Sequence, residues 1–363
     1  MTIVLTGSNG FLGWHTRVLA ESLGKQTEAL ALGDKFDVDS AVDALGHASM
    51  LVHIAGVNRG SDDDVRQGNV RFAEQLATAL GQTSTKPPTV VYANSIQAGN
   101  DSPYGKGKQE AGEILRRAAE QAGARFVDVR LPNLFGEHGV PFYNSVVATF
   151  CQLAAQGKQL EVQDDKDLLL LHAQVAAEVL LGLHEPEDSL RLATSRRVSE
   201  IAALIQEMAG TYSTGTIPDI ANSFERDLFN TYRSFLVGDR LPIPLNRKED
   251  ARGAFFEVVR SAGGEGQSSF STTMPGVTRG QHYHRRKIER FTVLSGTAEI
   301  SMRKLFSDEV LTFPVGGTNP VAVDMPTMWS HKITNTGPDE LYTMFWINEI
   351  FDPSSPDTFP EEV

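Results

Sequence analysis

The sequence has one cysteine, no long hydrophobic run and a shortage of positive charge. Cys151 has no partner for an internal disulfide, which is typical of proteins in a reducing cytoplasm. The most apolar stretch, residues 168–183, is interrupted by polar residues and is shorter than the roughly 18 uninterrupted apolar residues of a membrane span. The N-terminus lacks the basic region and cleavage site of a signal peptide. We therefore expect a soluble cytoplasmic protein with no membrane partner.

The charge balance argues against a nucleic-acid partner. The chain has 33 basic and 46 acidic residues, a net charge of −13, and a negative surface repels phosphate backbones. The composition of its 363 residues, of which 40% are hydrophobic, excludes collagenous, disordered and coiled-coil proteins. At roughly 150 residues per domain, this length allows about two domains.

Two patterns divide the chain at the proline-rich segment 241–245. Before it, short β-branched runs alternate with helical patterns, which predicts parallel βαβ units. After it, short alternating strands are separated by Gly, Pro and Asn turns, which predicts an all-β sandwich or barrel. The predicted domains are therefore an α/β domain over residues 1–243 and an all-β domain over residues 244–363.

A glycine-rich turn follows the first predicted strand and opens the first predicted helix. Its glycines have the spacing GxxGxxG. The first permits a tight turn, the second lets backbone N–H groups approach a pyrophosphate at the helix N-terminus, and the third allows close helix–strand packing. The pattern predicts a dinucleotide site formed by Gly7, Asn9, Gly10, Phe11, Leu12 and Gly13.

A second motif supplies acid–base chemistry. Tyr104 and Lys108 are four residues apart at the start of a predicted helix and therefore share one face. There the ammonium can lower the pKa of the phenol and hold a ribose while the tyrosine transfers a proton, as a carbonyl reductase requires. Ser95, after an earlier strand, precedes this pair.

Together these motifs resemble the extended short-chain dehydrogenase/reductase family, whose members act on nucleotide-sugars. The resemblance implies a Rossmann fold, with Tyr104 as proton donor or acceptor, Lys108 as its modulator and ribose anchor, and Ser95 as hydrogen-bond partner of the substrate oxygen. The segment 130–136, which includes Asn133, resembles the part of the family near the nicotinamide and the sugar. Further cofactor contacts are expected at Ala55 and Gly56.

The choice of nicotinamide dinucleotide depends on residues beyond the glycines. An acidic residue there binds a ribose 2′-OH and favours NAD, whereas a basic residue accommodates the 2′-phosphate of NADP. Asp34 and Lys35 are adjacent, so the sequence leaves both open. Asp37 and Val38 resemble the adenine-side pair of the family. We expect NADPH, with NADH as the alternative.

The last third of the chain contains three histidines in one pattern. His282, His284, Glu289 and His331 resemble the two cupin motifs, although Met328 stands where cupins usually carry Gly. Histidines two apart on a strand face the same side, and imidazole with carboxylate suits Zn²⁺ or another divalent metal. The resemblance implies a jelly-roll barrel with these four residues as metal ligands.

His282 has a second candidate role. Residues 250–257 and 279–283 resemble segments of dTDP-4-keto-6-deoxysugar 3,5-epimerases, metal-free cupins in which the histidine at this position acts as the base. A histidine bound to metal is a poor base, so the two roles compete. The complete ligand set favours the metal.

Over nearly its whole length the chain resembles bifunctional capsular-polysaccharide enzymes that fuse a reductase to a cupin. The resemblance implies that the cupin inverts C3 of UDP-2-acetamido-2,6-dideoxy-4-hexulose and that the reductase then reduces C4, giving UDP-2-acetamido-2,6-dideoxy-L-talose on the route to UDP-N-acetyl-L-fucosamine. Arg59 and Asn133 are its predicted sugar-binding residues. The alternatives are a simple 4-keto-sugar reductase with a structural cupin and a non-catalytic nucleotide- or sugar-binding sensor.

A homodimer is also expected. The helix after Lys108 carries apolar residues at helical spacing, and the corresponding helix often forms the dimer face of such reductases. These residues are Ile114, Leu115, Ala118, Ala119 and Ala122.

Overall fold

The computed structural model describes residues 2–238, 240–251 and 253–363. By internal contacts the chain forms two compact units. The first contains the residues up to Phe135 together with Asp167–Arg196, and the second contains Gly136–Lys166 together with Arg197–Val363. The units do not divide at the predicted boundary after residue 243, because three helices that precede this point belong to the same unit as the later strands. As a division between the two activities, the boundary at 243 stays a prediction.

Strands and helices alternate in the first part of the chain, and strands predominate in the last third. The strands are β1 (Thr2–Thr6), β2 (Gln26–Leu30), β3 (Ala48–His53), β4 (Thr89–Ser95), β5 (Arg125–Leu131), β6 (Asn133–Phe135), β7 (Asp167–His172), β8 (Thr194–Arg197), β9 (Ile243–Pro244), β10 (Lys248–Asp250), β11 (Gly253–Phe255), β12 (Gln267–Thr273), β13 (Thr278–Tyr283), β14 (Glu289–Ser295), β15 (Thr297–Lys304), β16 (Val310–Gly316), β17 (Val321–Met325), β18 (Trp329–Asn335), β19 (Leu341–Ile347) and β20 (Phe359–Pro360). The helices are α1 (Phe11–Ser22), α2 (Val38–Gly46), α3 (Asp62–Gln82), α4 (Pro103–Gln121), α5 (Val146–Ala155), α6 (Ala173–Leu180), α7 (Asp188–Arg191), α8 (Val198–Ser213) and α9 (Ser223–Arg233), with a short 3-10 helix at Gly33–Lys35.

The first unit is built on a five-stranded parallel sheet in the order β2-β1-β3-β4-β5. Side chains of a strand alternate between its faces. Accordingly Val4 packs into one core with α2, α3 and α4, whereas Ile3 and Leu5 pack into another with α1 and α6. The sheet is thus covered on both faces, as expected for parallel strands with continuous apolar runs.

The second unit contains two five-stranded sheets, β12-β19-β14-β17-β9 and β16-β15-β18-β13-β20. The strands within each sheet pair antiparallel. Phe291 from the first sheet and Ile300 and Ile333 from the second share one apolar core. This arrangement is consistent with the jelly-roll barrel of a cupin. The predicted fold class, a Rossmann-type α/β region followed by an all-β region, is confirmed.

A buried ion pair joins α8 to the strands of the second unit. Arg290 and Asp324 are each 1% exposed, and the guanidinium donates to both carboxylate oxygens at 2.6 and 2.9 Å. Tyr212, near the end of α8, donates its hydroxyl to the same carboxylate, and Arg290 also donates to the carbonyl of Gly215. The Tyr212 bond thus fixes the end of α8 to the ion pair between β14 and β17, and removing either charge would leave the other buried and unpaired.

Three of the five residues that are predicted to form a dimer face lie in the interior of their own chain. Leu115 and Ala119 are fully buried and Ala118 is 8% exposed, and all three pack in the core formed with α2 and α3. These three residues of the predicted dimer face are therefore covered by the core of their own chain, whereas Ile114 and Ala122 are half-buried. The homodimer itself stays a prediction.

Among the described residues, none of the helices is both long and apolar enough to cross a membrane.

Candidate active site

The glycine turn has the close approaches that its spacing predicts. Gly7 has a φ of +66°, and a Cβ there would lie 2.8 Å from the backbone nitrogen of Ala55. A Cβ on Gly13 would lie 2.0 Å from the carbonyl oxygen of Gly7. Gly10 precedes α1, whose first turn has no acidic residue. The N-terminus of α1 thus presents backbone N–H groups to an anion, and Gly56 lies beside the turn next to Ala55.

Three other predicted cofactor residues lie in or beside this turn, with varied exposure. Asn9 is exposed and its side-chain oxygen accepts from Arg17 at 3.3 Å, whereas Leu12 is buried in the core and Phe11 is half-buried. The hydrophobic side chain of Leu12 anchors α1 to the sheet. A cofactor contact from Leu12 would therefore have to come from its backbone.

A hydroxyl fastens the turn to the neighbouring strand. The Thr6 hydroxyl accepts from the backbone nitrogens of Ile54 and Ala55 at 3.0 and 3.1 Å and lies 2.7 Å from Nδ1 of His53. Burial, together with the charge of Lys108, lowers the pKa of His53 to about 3. The imidazole is therefore neutral, and its Nδ1 accepts a hydrogen bond from the Thr6 hydroxyl. This bond completes the hydrogen bonding of Thr6.

The residues expected near the adenosine have structural partners of their own. Asp34 forms an ion pair with Arg71 of α3 at 2.8 Å, and the exposed Lys35 follows it. Asp37 caps α2 by accepting from the backbone nitrogen of Ser40 at 2.8 Å, and Val38 begins that helix. Sequence reasoning missed Arg71, which lies 37 residues from Asp34 and adds positive charge at this edge.

Tyr104 is positioned by the start of α4. The Ser102 side chain caps the helix by accepting from the nitrogen of Gly105, and Pro103 occupies the first helical turn. Burial raises the pKa of the Tyr104 phenol, and a hydrogen bond with Ser95 partly opposes this rise. Ser95 is 9% exposed at the end of β4. The structure therefore brings together the predicted proton donor and the predicted partner of the substrate oxygen.

Lys108 lies one turn further along α4 and is 3% exposed. Its Nζ donates to the carbonyl of Ala93 at 2.7 Å and lies 4.2 Å from the centre of the Tyr92 ring. Burial lowers the pKa of Lys108 to about 7, while the charge of Asp128 opposes this shift. The ammonium is thus held beside β4, in the same region as Ser95.

Sequence reasoning missed two polar residues that support this pair. The amide of Asn94 donates to the carboxylate of Asp128 at 2.8 Å, and its side-chain oxygen accepts from the nitrogen of Ser95 at 2.9 Å. Asp128 also acts electrostatically on Lys108. They come from adjacent parallel strands, β4 and β5, and no local motif marks them.

The two predicted sugar-binding residues are exposed. Arg59 lies in the turn before α3, and Asn133 begins β6. The amide of Asn133 donates to the carbonyl of Leu169 at 3.2 Å, which ties β6 to β7. Their roles toward a sugar stay predictions.

The four predicted metal ligands converge. His282 on β13 is paired with His331 on β18, and Glu289 begins β14. With His284, these residues offer ligand atoms that all lie within 4.8 Å of one another. His331 is fully buried, and His284 and Glu289 are 5% and 6% exposed. The structure thus places both histidines of the HxH pair beside Glu289 and His331, and their role as metal ligands stays a prediction.

The hydrogen-bond chemistry of the cluster fits a cation. His284 has Nδ1 2.6 Å from the carbonyl of Asp357 and Nε2 3.1 Å from the Glu289 carboxylate. His331 likewise lies between the carbonyl of Trp329 and the same carboxylate, at 3.2 and 3.1 Å. Carbonyl and carboxylate oxygens only accept, so each Nε2 that faces Glu289 needs either a proton or a cation between itself and the carboxylate. One divalent cation can take this place for both imidazoles and balance the charge of the buried carboxylate.

The charges at the cluster follow from the same contacts. Burial favours the neutral form of Glu289, but hydrogen bonds from His284 and His331 outweigh it and hold the pKa of Glu289 well below its usual range. Burial opposes protonation of His284, but the Glu289 carboxylate outweighs it and raises the pKa of His284. Burial and the two neighbouring histidines lower the pKa of His282 to about 4. A neutral His282 suits either of its predicted roles, as metal ligand or as base.

Two backbone positions shape the cluster. Gly280 has a φ of +102°, and a Cβ there would lie 2.6 Å from the carbonyl oxygen of His331, so β13 and β18 approach closely only with glycine. Met328 has a φ of +63° and is fully buried. It therefore adopts a left-handed backbone conformation that favours glycine, at a cost of about 1–3 kcal/mol. The glycine that the cupin motif usually carries at this position would avoid that cost.

Two family models match the chain. The NAD dependent epimerase/dehydratase family matches residues 3–172, and the polysaccharide biosynthesis C-terminal domain matches residues 248–359. The UDP-glucose 4-epimerase of Thermotoga maritima is similar to 65% of this chain over 98% of its own, with a TM-score of 0.53 and 15% identity. That likeness shows the fold alone.

Two relatives match from end to end. The UDP-2-acetamido-2,6-beta-L-arabino-hexul-4-ose reductase of Pseudomonas aeruginosa is 32% identical over 99% of this chain and 98% of its own. The solved structure of the capsular polysaccharide assembling protein CapF from Staphylococcus aureus is 32% identical, covers 100% of both chains and has a TM-score of 0.63. The chain belongs to the CapF family. This confirms the resemblance seen in the sequence and makes the chain an enzyme of the NAD-dependent epimerase/dehydratase type, with a nicotinamide cofactor.

Proposed function

We propose that this CapF-family chain is a bifunctional UDP-sugar enzyme. Its all-β region epimerises C3 of UDP-2-acetamido-2,6-dideoxy-4-hexulose, and its α/β region then reduces the C4 ketone to give UDP-2-acetamido-2,6-dideoxy-L-talose. The end-to-end match to a reductase named for such a 4-hexulose carries the proposal. The contact between Ser95 and Tyr104 and the convergence of the three histidines and Glu289 support its two halves.

In the reduction, C4 would accept a hydride, which a bound nicotinamide cofactor would supply. Tyr104 donates its phenolic proton to O4 as negative charge develops there, and Ser95 donates a hydrogen bond to the same oxygen. Lys108 is the proposed anchor of the cofactor ribose, and its charge would offset part of the rise that burial causes in the pKa of the phenol. The glycine turn holds the pyrophosphate at the N-terminus of α1.

In the epimerisation, C3 loses a proton on one face and gains one on the other. The C4 ketone makes this proton acidic because the negative charge spreads onto O4, so epimerisation must precede reduction. His282, His284, Glu289 and His331 would hold Zn²⁺ or another divalent cation, which supplies Lewis-acid charge. His282 is a candidate base only in the absence of a metal on its ring.

Other parts of the proposal rest on individual residues. NADPH is the proposed reductant because Lys35 and Arg71 flank Asp34 and can neutralise a 2′-phosphate. NADH is the alternative. The buried lone cysteine, Cys151, supports a cytoplasmic location. We also propose that the protein forms a homodimer. Separately, we propose that Arg59 and Asn133 bind the sugar of the substrate.

The decisive experiment follows the C3 proton by NMR. UDP-2-acetamido-2,6-dideoxy-4-hexulose is incubated with the protein in D₂O without nicotinamide. We expect the C3 proton signal to disappear through exchange, and NADPH added later to be oxidised.

If C3 stays protonated while NADPH is oxidised, the chain is a simple reductase with a structural all-β region. If the protein binds NADPH but neither exchanges C3 nor oxidises the cofactor, it is a binding protein, and both halves of the proposal are wrong.

A further inference from the structure

The segment from Asp352 to Val363 reaches the strand that carries the first metal-site histidine and pairs with it through residues 359–363. β20 pairs with His282 and Tyr283 of β13, and the nitrogen of Glu361 donates to the carbonyl of Gln281 at 3.0 Å. Asp357 lies in the middle of this segment. It is 5% exposed and has a φ of +45°, a backbone conformation that few residues other than glycine adopt.

Both polar ends of Asp357 hold the turn that contains His284. Its backbone carbonyl lies 2.6 Å from Nδ1 of His284. Its carboxylate accepts from the backbone nitrogens of Arg285, Arg286 and Lys287 at 3.2, 2.9 and 2.9 Å. A single residue thus fixes the imidazole and the three residues that follow it.

We propose that Asp357 is a positioning residue for the metal centre, which it serves by holding His284 in the orientation and tautomer that ligation requires. An acceptor at Nδ1 keeps the proton on that nitrogen and leaves the lone pair of Nε2 for a cation beside Glu289. The inference rests on the metal centre of the proposed function and adds a residue 73 positions from His284.

The carboxylate explains why this residue is an aspartate. The three N–H groups of residues 285–287 converge on one anionic side chain, and hydrogen bonds to a charged group are about twice as strong as neutral ones. Without the carboxylate, these N–H groups lose their acceptor, and the left-handed backbone of Asp357 loses what holds it. The carbonyl would then move away from His284.

The neighbouring Glu349 provides a matched control. It pairs with the Arg286 side chain at 3.0 Å and lies 3.7 Å from Nζ of Lys287, so it holds side chains of the same turn. Asp357 also lies 3.6 Å from the Arg286 guanidinium, but it differs from Glu349 because it binds the backbone of residues 285–287 and His284 as well. Glu349→Gln therefore removes a half-buried charge from the same turn but leaves the acceptor of His284 in place.

The test measures Zn²⁺ affinity of the full-length protein by competition with a metallochromic chelator. We expect Asp357→Ala to weaken Zn²⁺ binding by at least about tenfold, as is typical for residues that orient ligating histidines. Asp357→Asn keeps one acceptor oxygen, so this variant should lose less Zn²⁺ affinity than Asp357→Ala. Glu349→Gln should bind like the wild type. The visible absorption of the Co²⁺-loaded protein should change in Asp357→Ala and not in Glu349→Gln.

Thermal unfolding with and without Zn²⁺ separates positioning from simple loss of fold. A tenfold weaker site reduces the stabilisation by saturating metal by about 1.4 kcal/mol, whereas a loss caused by the unpaired N–H groups of residues 285–287 lowers the stability of the metal-free and the metal-saturated variant alike. Asp357→Asn serves as the test variant if Asp357→Ala does not fold.

Wild-type affinity and an unchanged Co²⁺ spectrum in a folded Asp357 variant would overturn this inference alone. Equal losses in Asp357→Ala and Glu349→Gln would also overturn it, because any charge in the turn would then suffice. If the wild type binds no divalent cation, the proposed metal centre itself is wrong, and this inference with it.

Discussion

Replacing Lys108 with methionine should abolish reduction and yet stabilise the protein at low pH. Lys108 is 3% exposed, and burial lowers its pKa from 10.5 to about 7. At about 1.4 kcal/mol per pH unit, the difference between these two values corresponds to about 5 kcal/mol. That free energy opposes folding as long as the buried amine carries its proton.

The sign follows from proton binding. Between pH 7 and 10.5 the unfolded chain keeps a proton on Lys108 that the folded chain has released, so the free energy of unfolding rises with pH. Below pH 7 Lys108 is protonated in both states, and the full cost of burying its charge lowers the free energy of unfolding. Methionine removes the charge but also the bond to Ala93 and the contact with the Tyr92 ring, each worth about 1 kcal/mol. We expect the variant to be more stable than wild type by about 2–4 kcal/mol near pH 6, and no more stable near pH 10.

Urea denaturation of wild type, Lys108→Met and Lys106→Met near pH 6 and pH 10 measures this effect directly. Lys106 lies on the same helix with its side chain 49% exposed, so its replacement should change stability by less than about 0.5 kcal/mol at either pH. NADPH oxidation should be lost only in Lys108→Met. A Lys108→Met stability difference that is the same at both pH values, or that is unfavourable near pH 6, would refute the reasoning.

Three further predictions concern the other sites. Tyr104→Phe should stop NADPH oxidation and leave C3 exchange intact, and loss of both activities in a folded variant would argue against separate sites. Gly13→Ala places a Cβ 2.0 Å from a backbone oxygen and should weaken NADPH binding, measured by fluorescence titration, whereas Gly81→Ala, with open space around it, should bind NADPH normally. Arg290→Met leaves the buried Asp324 unpaired and should cost about 3–5 kcal/mol in urea denaturation. Adding Asp324→Leu should recover most of this loss, and no recovery would contradict the ion-pair explanation.

Local spacing carries most of what can be predicted from the sequence. The glycine turn, the Tyr104–Lys108 pair and the HxH ligands are short patterns that follow directly from strand and helix periodicity. The acidic run before Val65 is typical of a solvated helix start, and α3 begins there with a Ser61–Asp64 capping box. The strand β2 and the helix α2 carry too weak a pattern to be predicted.

Residues that act through distant contacts have no such signal. Asp128 reaches Asn94 across 34 positions, and Asp357 reaches His284 across 73, and neither lies in a motif. The apolar stripe with Leu115 predicts a helix face correctly but not what covers it, because core and dimer contacts have the same periodicity. Compact units also depend on packing over long separations, which the proline-rich segment does not indicate.

The order of the two compact units along the chain affects how the two proposed activities can be dissected. The polypeptide passes between the units three times, so no single cut releases either one whole. A gene shortened after residue 243 would encode α8 without its partners on the later strands. In the intact protein, Asp324 binds Tyr212 of α8 and Arg290 binds the carbonyl of Gly215 just after it. An activity missing from such a fragment would reflect the lost partners of α8 as much as the deleted strands. Point substitutions in the full-length chain are therefore the sound way to assign each reaction to its half.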